Sequence, residues 1–390
     1  MNLLFEAIDP TIQGLSGSGV WLRIVDLLCV AGALFALLTM GARWGQVRRR
    51  NRGTETGLGP LGKLFSTLAI GILFVAIAAN AYQVWLRYVE VNHFPSQTMS
   101  EVVVMFSWSL LVSMAVLHFA LRLKELGPGW QMYGDGLLLI VFLAVVGTNA
   151  YTLTLSSAER DLPPALQSYW FPPHLVALIF SYATLGIAGL LCVKYFSIRF
   201  WHTLFGGQGN WKSQILTAAL LSFVPFVWKV TLPIFLGMGA FFLVQKLRGR
   251  TDWAQSWAGV EKQWDQVSYR AFCVGIPFLT AGLFMGAFWA QEAWANYWGW
   301  DSKENSALIT WLVYVVYSHL RMLGGYRGEK AMAVLAGGAV SVFLTFQLFG
   351  YLPDSQKSLH RYTDDNVVPR EGRQGATSPE SSTSARLEQQ

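Results

Sequence analysis

The feature that most constrains this chain is a series of apolar runs, at about 20–41, 65–86, 102–121, 136–153, 174–193, 271–288, 306–323 and 331–350. A helix rises ~1.5 Å per residue, so about 20 residues cross a ~30 Å hydrocarbon core. Backbone groups in that core find no water, and a helix satisfies them within the segment. The expected fold is therefore an all-α polytopic membrane protein with about eight transmembrane helices. Only 13% of residues are charged and 53% are hydrophobic, which excludes soluble classes.

The loops carry the orientation. Arg43, Arg48, Arg49, Arg50, Arg52 and Lys63 separate the first two runs and assign that loop to the cytoplasm, leaving the N-terminus outside. Arg122 and Lys124 then fall inside, Glu159, Arg160 and Asp161 outside, and Lys194 and Arg199 inside. The net charge of +6 is thus an orientation signal and gives no reason to expect nucleic acid. Region 202–250 interrupts the alternation. Its apolar run at 214–244 contains Pro225, Lys229 and Pro233 and has Lys212 before it and Lys246, Arg248 and Arg250 after it. Basic flanks and internal prolines suit a re-entrant hairpin with both ends inside. Arg321, Arg327 and Lys330 then lie inside, and the C-terminus lies outside. Residues 1–355 form the transmembrane domain, and the polar segment 356–390 reads as a disordered tail.

Cys29, Cys192 and Cys273 include no C-x-x-C pair, so a thiol relay, a zinc site and covalent haem attachment to this chain are unsupported. A phosphate-binding G-x-x-x-x-G-K-[ST] motif is missing as well. The start, M-N-L-L-F-E-A-I-D-P, lacks the basic region of a cleaved signal peptide.

The densest chemical signal is W-A-Q-E-A-W-A-N-Y-W-G-W-D at Trp289 to Asp301, leading into S-K-E-N and expected in an outer loop, 289–305. Tryptophan is enriched at membrane interfaces, so an aromatic belt is one reading. Clustering supports another, a wall for a large planar ligand. Trp294 and Trp298 share a face if the segment is helical, and Trp300 and Asp301 follow. Asp301 with Glu304 also reads as a capping box for the next helix.

Of the six histidines, His174 stands at the outer mouth of its run, and His360 about ten residues past the last one. If they meet on the outer face they would make a bis-histidine iron site beside the aromatic wall; unrelated interfacial histidines are the alternative. His319 lies some fourteen residues below Asn305, facing with Trp311 and Val315, where burial would keep it neutral. It reads either as a ligand of a second, deeper haem site or as a packing residue. His118 lies at similar depth and is a possible intrachain partner.

The tryptophan stretch, followed by W-L-V-Y-V-V-Y-S-H-L-R, resembles the WWD signature of the CcsA-type System II cytochrome c biogenesis family. P-A-L-Q-S-Y-W-x-x-x-H before His174, and H-F-P with Glu101 at 93–101, are similar to further family segments, so the likeness spans about 90–361. It implies an integral protein of the inner (cytoplasmic or thylakoid) membrane, acting as a haem lyase or holocytochrome c synthase subunit. Haem b, as bound substrate, would be exported to the outer face and presented to the C-x-x-C-H motif of apocytochrome c for thioether attachment. By position His174 and His360 resemble the outer ligand pair and His319 the transmembrane one, whose opposing histidine belongs to a CcsB/ResB-type partner subunit. Trp294, Trp298, Trp300 and Asp301 resemble the haem-facing loop. The chain departs from the family pattern at Ser302 (usually Pro), Ala295 (usually Gly), Q-T-M-S at 97–100 and S-L-H-R-Y-T around His360. A haem carrier or exporter without synthase activity, and an unrelated solute transporter, are the competing expectations.

Overall fold

The computed structural model describes residues 17–51, 53–54, 57–155, 163–206, 235–237, 239–240, 243–244, 246–248 and 257–345. Eight helices fall on the eight apolar runs, the last run within its described part: α1 (Gly17–Asn51), α2 (Pro60–Val91), α3 (Met99–Ala120), α4 (Pro128–Thr152), α5 (Phe171–Gly206), α6 (Trp257–Trp294), α7 (Ser302–Met322) and α8 (Glu329–Phe343). The first six of these are long and apolar enough to cross a membrane. The chain is therefore an α-helical integral membrane protein. Helix α7 opens with Lys303 and Glu304 and closes on Arg321, and 15 residues of α8 are described, so neither meets that criterion among the described residues.

The helices form two groups joined by α3. In the first, α1 packs on α2 and α4; in the second, α5 packs on α6 and α8, and α7 on α8; α3 touches α2, α4 and α5. One continuous core runs through both, with Phe142, Tyr195, Phe196, Tyr314 and Tyr317 among its largest fully buried side chains.

Helices α5 and α6 make the tightest pair because glycines line one face of α6. A Cβ added at Gly275 would stand 2.7 Å from Leu185, one at Gly282 2.6 Å from Leu178, and one at Gly286 2.7 Å from His174. Small residues of this kind let membrane helices approach closely. The partners descend α5 as the glycines ascend α6, so the pair is antiparallel. Helix α5 therefore ends at the level where α6 begins. Phe235 packs back on Trp201, with ring centroids 4.8 Å apart, and its carbonyl accepts the Trp201 indole N–H at 2.9 Å. Most of the expected hairpin lies outside the described residues, as does the segment 356–390.

Several charges within the helices are paired. Arg43 donates to Asp135 and Gln131, Arg23 pairs with Asp26 at 2.8 Å, and Arg321 forks onto both oxygens of Asp265 at 2.6 and 2.9 Å. Arg43 and Arg321, read from sequence only as orientation signals, thus also fasten helices together. Arg199 on α5 reaches Glu329 at the start of α8 at 2.7 Å, closing the same basic end.

Candidate functional site

Away from the arginine-rich end, the start of α3, the approach to α5, the end of α6 and the start of α7 converge. They enclose a cavity of about 300 Å³, lined by Gln97, His174, Trp289, Tyr297, Trp298 and Lys303 among others. That volume is at the lower end of the ~300–1,000 Å³ usual for ligand sites.

His174 is placed by the approach P-A-L-Q-S-Y-W. Pro164–Leu166 form a 3-10 turn, and the Ala165 carbonyl accepts the Trp289 indole N–H at 2.7 Å, tying this turn to the end of α6. Leu166, Phe171 and Trp289 make a small apolar cluster, and Ser168 donates to Glu292. The His174 ring stacks on Trp289, with centroids 5.6 Å apart and planes 28° apart. Its Nδ1 lies 2.7 Å from the Gly282 carbonyl. A carbonyl only accepts, so Nδ1 carries the proton and Nε2 the lone pair, the tautomer of a metal-ligating imidazole held by an outer-sphere acceptor. Gly286 leaves room for this ring, because a Cβ there would come within 2.8 Å of Nδ1.

The tryptophan-rich loop differs from its expected form. Helix α6 stops at Trp294, and Ala295 takes φ 55°, so Trp294 and Trp298 do not share one helix face. Trp294 packs on Trp289 with centroids 5.0 Å apart, whereas Trp298 lines the cavity. Trp300, at φ 57°, is 71% exposed and meets Trp298 edge-on at 6.1 Å. The left-handed backbone at 295 accounts for the glycine customary there: a side chain at such φ costs about 1–2 kcal/mol.

The capping box forms with Ser302 in place of proline. The Asp301 carboxylate accepts the Lys303 N–H at 2.7 Å, and Glu304 accepts N–H groups from Gly299 at 2.8 Å and Asp301 at 3.2 Å. Asn305 adds a bond to the Trp300 carbonyl at 2.9 Å. Asp301 therefore braces the loop and does not line the cavity. A second box at the start of α3, Thr98 with Glu101, fixes the opposite wall, and Arg87 pairs with Glu101 at 3.0 Å.

The other histidines are dispersed. His319 is exposed on α7, its Nδ1 2.8 Å from the Val315 carbonyl, which corrects the expectation of burial within the chain. Arg321, two residues on, turns inward to Asp265, and positions i and i+2 do not share a face. His118 stands on α3, which packs on α2, α4 and α5, while α7 packs on α8 and α6; the two histidines do not sit on a packed helix pair. His360 lies outside the described residues. Among the described residues, no three His, Cys, Asp or Glu side chains gather to hold a metal.

Gln97, Trp289 and Gly286 were not named as site residues from the sequence. The H-F-P-S-Q-T segment and the Gly282/Gly286 spacing are the signals that carry them.

The fold and site define a helical membrane protein with an aromatic, histidine-bearing cavity at one end of its bundle. Residues 68–353 match the family model of the cytochrome C assembly protein. The cytochrome c biogenesis protein CcsA of Heterosigma akashiwo is 31% identical over 85% of this chain and 94% of its own length. Those of Microcystis aeruginosa and Marchantia polymorpha are 27% and 31% identical, covering 84% and 71% of this chain and 94% and 81% of their own lengths. The chain belongs to the CcsA-type family of cytochrome c biogenesis proteins, and its role lies in cytochrome c maturation.

Proposed function

We propose that the cavity beside His174 receives haem as a bound substrate and presents it to apocytochrome c for thioether attachment. The observation that carries this reading is the His174 imidazole, fixed by the Gly282 carbonyl with Nε2 as its lone-pair nitrogen inside an aromatic-walled cavity. His174 would hold the iron, His360 would supply the second imidazole, and Trp298 would meet the porphyrin. Trp294 acts one layer back, through Trp289. Trp300 sits at the rim, and Asp301 holds the loop.

The attachment adds a cysteine S–H across a vinyl C=C: sulfur bonds one carbon and the proton goes to the other, with no net oxidation. The thiols belong to the substrate's C-x-x-C-H motif. Cys29 and Cys192 are buried in the helical core, and none of the three cysteines lines the cavity. The chain's contribution is placement, which can lower a barrier by several kcal/mol.

The positive-inside rule puts the arginine-rich end in the cytoplasm, the cavity outside, and both termini outside, in an inner membrane. The outward-facing imidazole of His319 suits a haem site shared with a CcsB/ResB-type subunit, and His118 has no part in it. All eight long helices would then cross the membrane. A solute transporter gains nothing from the intramembrane acids, since Asp26, Asp135 and Asp265 are each paired with arginine.

Coexpression of the full chain with the partner subunit and a C-x-x-C-H cytochrome tests this, scored by haem that stays on the cytochrome through denaturation. Covalent product that depends on this chain is expected. Bound haem without covalent product would leave a carrier or exporter, and no haem at all would favour a transporter. Gly286→Ala supplies a local check. The added methyl displaces the His174 ring from Gly282, and haem affinity measured by Soret titration should fall about 10–100-fold, the usual cost of losing an outer-sphere partner.

A further inference from the structure

Beyond the histidine and the indoles, the cavity wall holds polar groups with nothing to bond. Gln97 is 2% exposed, and neither its Nε2 nor its Oε1 has a hydrogen-bond partner. Trp298 Nε1 is likewise buried without one. Both residues line the cavity, together with Lys303. Buried polar side chains are nearly always satisfied, so two N–H donors left open at one site point to a ligand that accepts. The Gln97 backbone cannot drift to relieve them. Its own N–H and that of Thr98 both donate to Glu101 at 3.1 Å, within the capping box that starts α3.

We infer that Gln97 Nε2 and Trp298 Nε1, in a cavity that Lys303 also lines, form a carboxylate subsite that takes one propionate of the porphyrin. This rests on the haem reading above and adds which edge of the macrocycle enters first. Ionised acceptors make the stronger hydrogen bonds, and a fixed amide with an indole N–H supplies two without a change of rotamer. Glu304 also lines the cavity, but its carboxylate accepts the N–H groups of Gly299 and Asp301. The vinyl groups of protohaem lie on the edge opposite its propionates. Anchoring a propionate at Gln97 therefore directs the reactive vinyl edge away from this wall, toward the incoming thiols. Trp298 acts as a hydrogen-bond donor here as well as a surface to stack on.

The test is a titration of the purified full chain with haem and with haem dimethyl ester, followed by the Soret band, in wild type, Gln97→Leu and Trp298→Phe. Trp298→Phe keeps an aromatic ring while removing the donor and part of the stacking surface. Wild type should bind haem about tenfold or more tightly over the ester, the range of a charge-assisted hydrogen bond. Gln97→Leu should lose about tenfold in haem affinity and keep its ester affinity, and Trp298→Phe should lose about tenfold more for haem than for the ester. Equal binding of haem and ester by wild type, or equal weakening of both by Gln97→Leu and Trp298→Phe, would overturn the subsite while leaving the haem reading intact. Failure of wild type to bind either porphyrin would overturn both.

Discussion

Covalent haem attachment is expected to fall at least about 100-fold when His174 is replaced by alanine, and to recover in part when imidazole is supplied. The magnitude follows from the geometry. Even an outer-sphere partner of a metal-ligating histidine is worth about 10–100-fold, and His174 would be the ligand itself. Its ring is held by Gly282 at 2.7 Å, stacked on Trp289, and accommodated by the missing side chain at Gly286. Removing it leaves a hole of imidazole shape in a wall that is otherwise unchanged. Free imidazole can refill that hole, so recovery separates loss of a ligand from loss of the fold. A variant with normal yields of covalent cytochrome would remove His174 from the mechanism.

The second large effect concerns stability. Asp265→Ala leaves the Arg321 guanidinium buried without its carboxylate, and breaking such a pair costs about 3–5 kcal/mol. Arg321 is 4% exposed and stacks over Tyr269, 4.1 Å from the ring centroid, so it has no easy route to water. Thermal unfolding in detergent should show a markedly lower midpoint for the single variant. The double replacement Asp265→Leu with Arg321→Met should regain most of it, because an apolar pair of similar volume is often as stable as the ion pair. Equal losses in both would show that the two charges are not coupled. The pair also sets the rotation of α7, which decides where His319 points.

What the sequence disclosed follows from what hydropathy measures. Apolar runs locate helices because backbone groups in lipid must be satisfied within the segment, and each of the eight runs carries a helix among the described residues. The runs report the membrane, however, and not the helix. Helix α1 continues through Arg48, Arg49 and Arg50 to Asn51, and α5 runs to Gly206, because basic residues keep helical geometry after the apolar pattern ends. The capping box of Asp301 with Glu304 was legible in its spacing, since it needs only local geometry, whereas that of Thr98 with Glu101 was not read from the sequence.

The inward face of an apolar helix was harder to read. His319 was expected to be buried, but little in V-Y-V-V-Y-S-H-L distinguishes a face toward lipid from a face toward core. Only Arg321 bonding to Asp265, 56 residues away, resolves it. The Trp294/Trp298 pairing failed for a local reason, the left-handed turn at Ala295 that ends α6 between them. Family glycine at that position was the available signal. Gln97 stood out only as part of the Q-T-M-S departure and not as a site residue, because the lack of partners on its side chain is a property of three-dimensional packing.

The central claim, a porphyrin site built on His174, is tested most directly by the visible spectrum of the purified full-length protein, compared with that of His174→Ala. The account predicts a Soret band with the sharp visible bands of six-coordinate low-spin iron, lost or shifted to a high-spin form in the variant. A wild-type protein without a Soret band, or a variant with an unchanged spectrum, would contradict it.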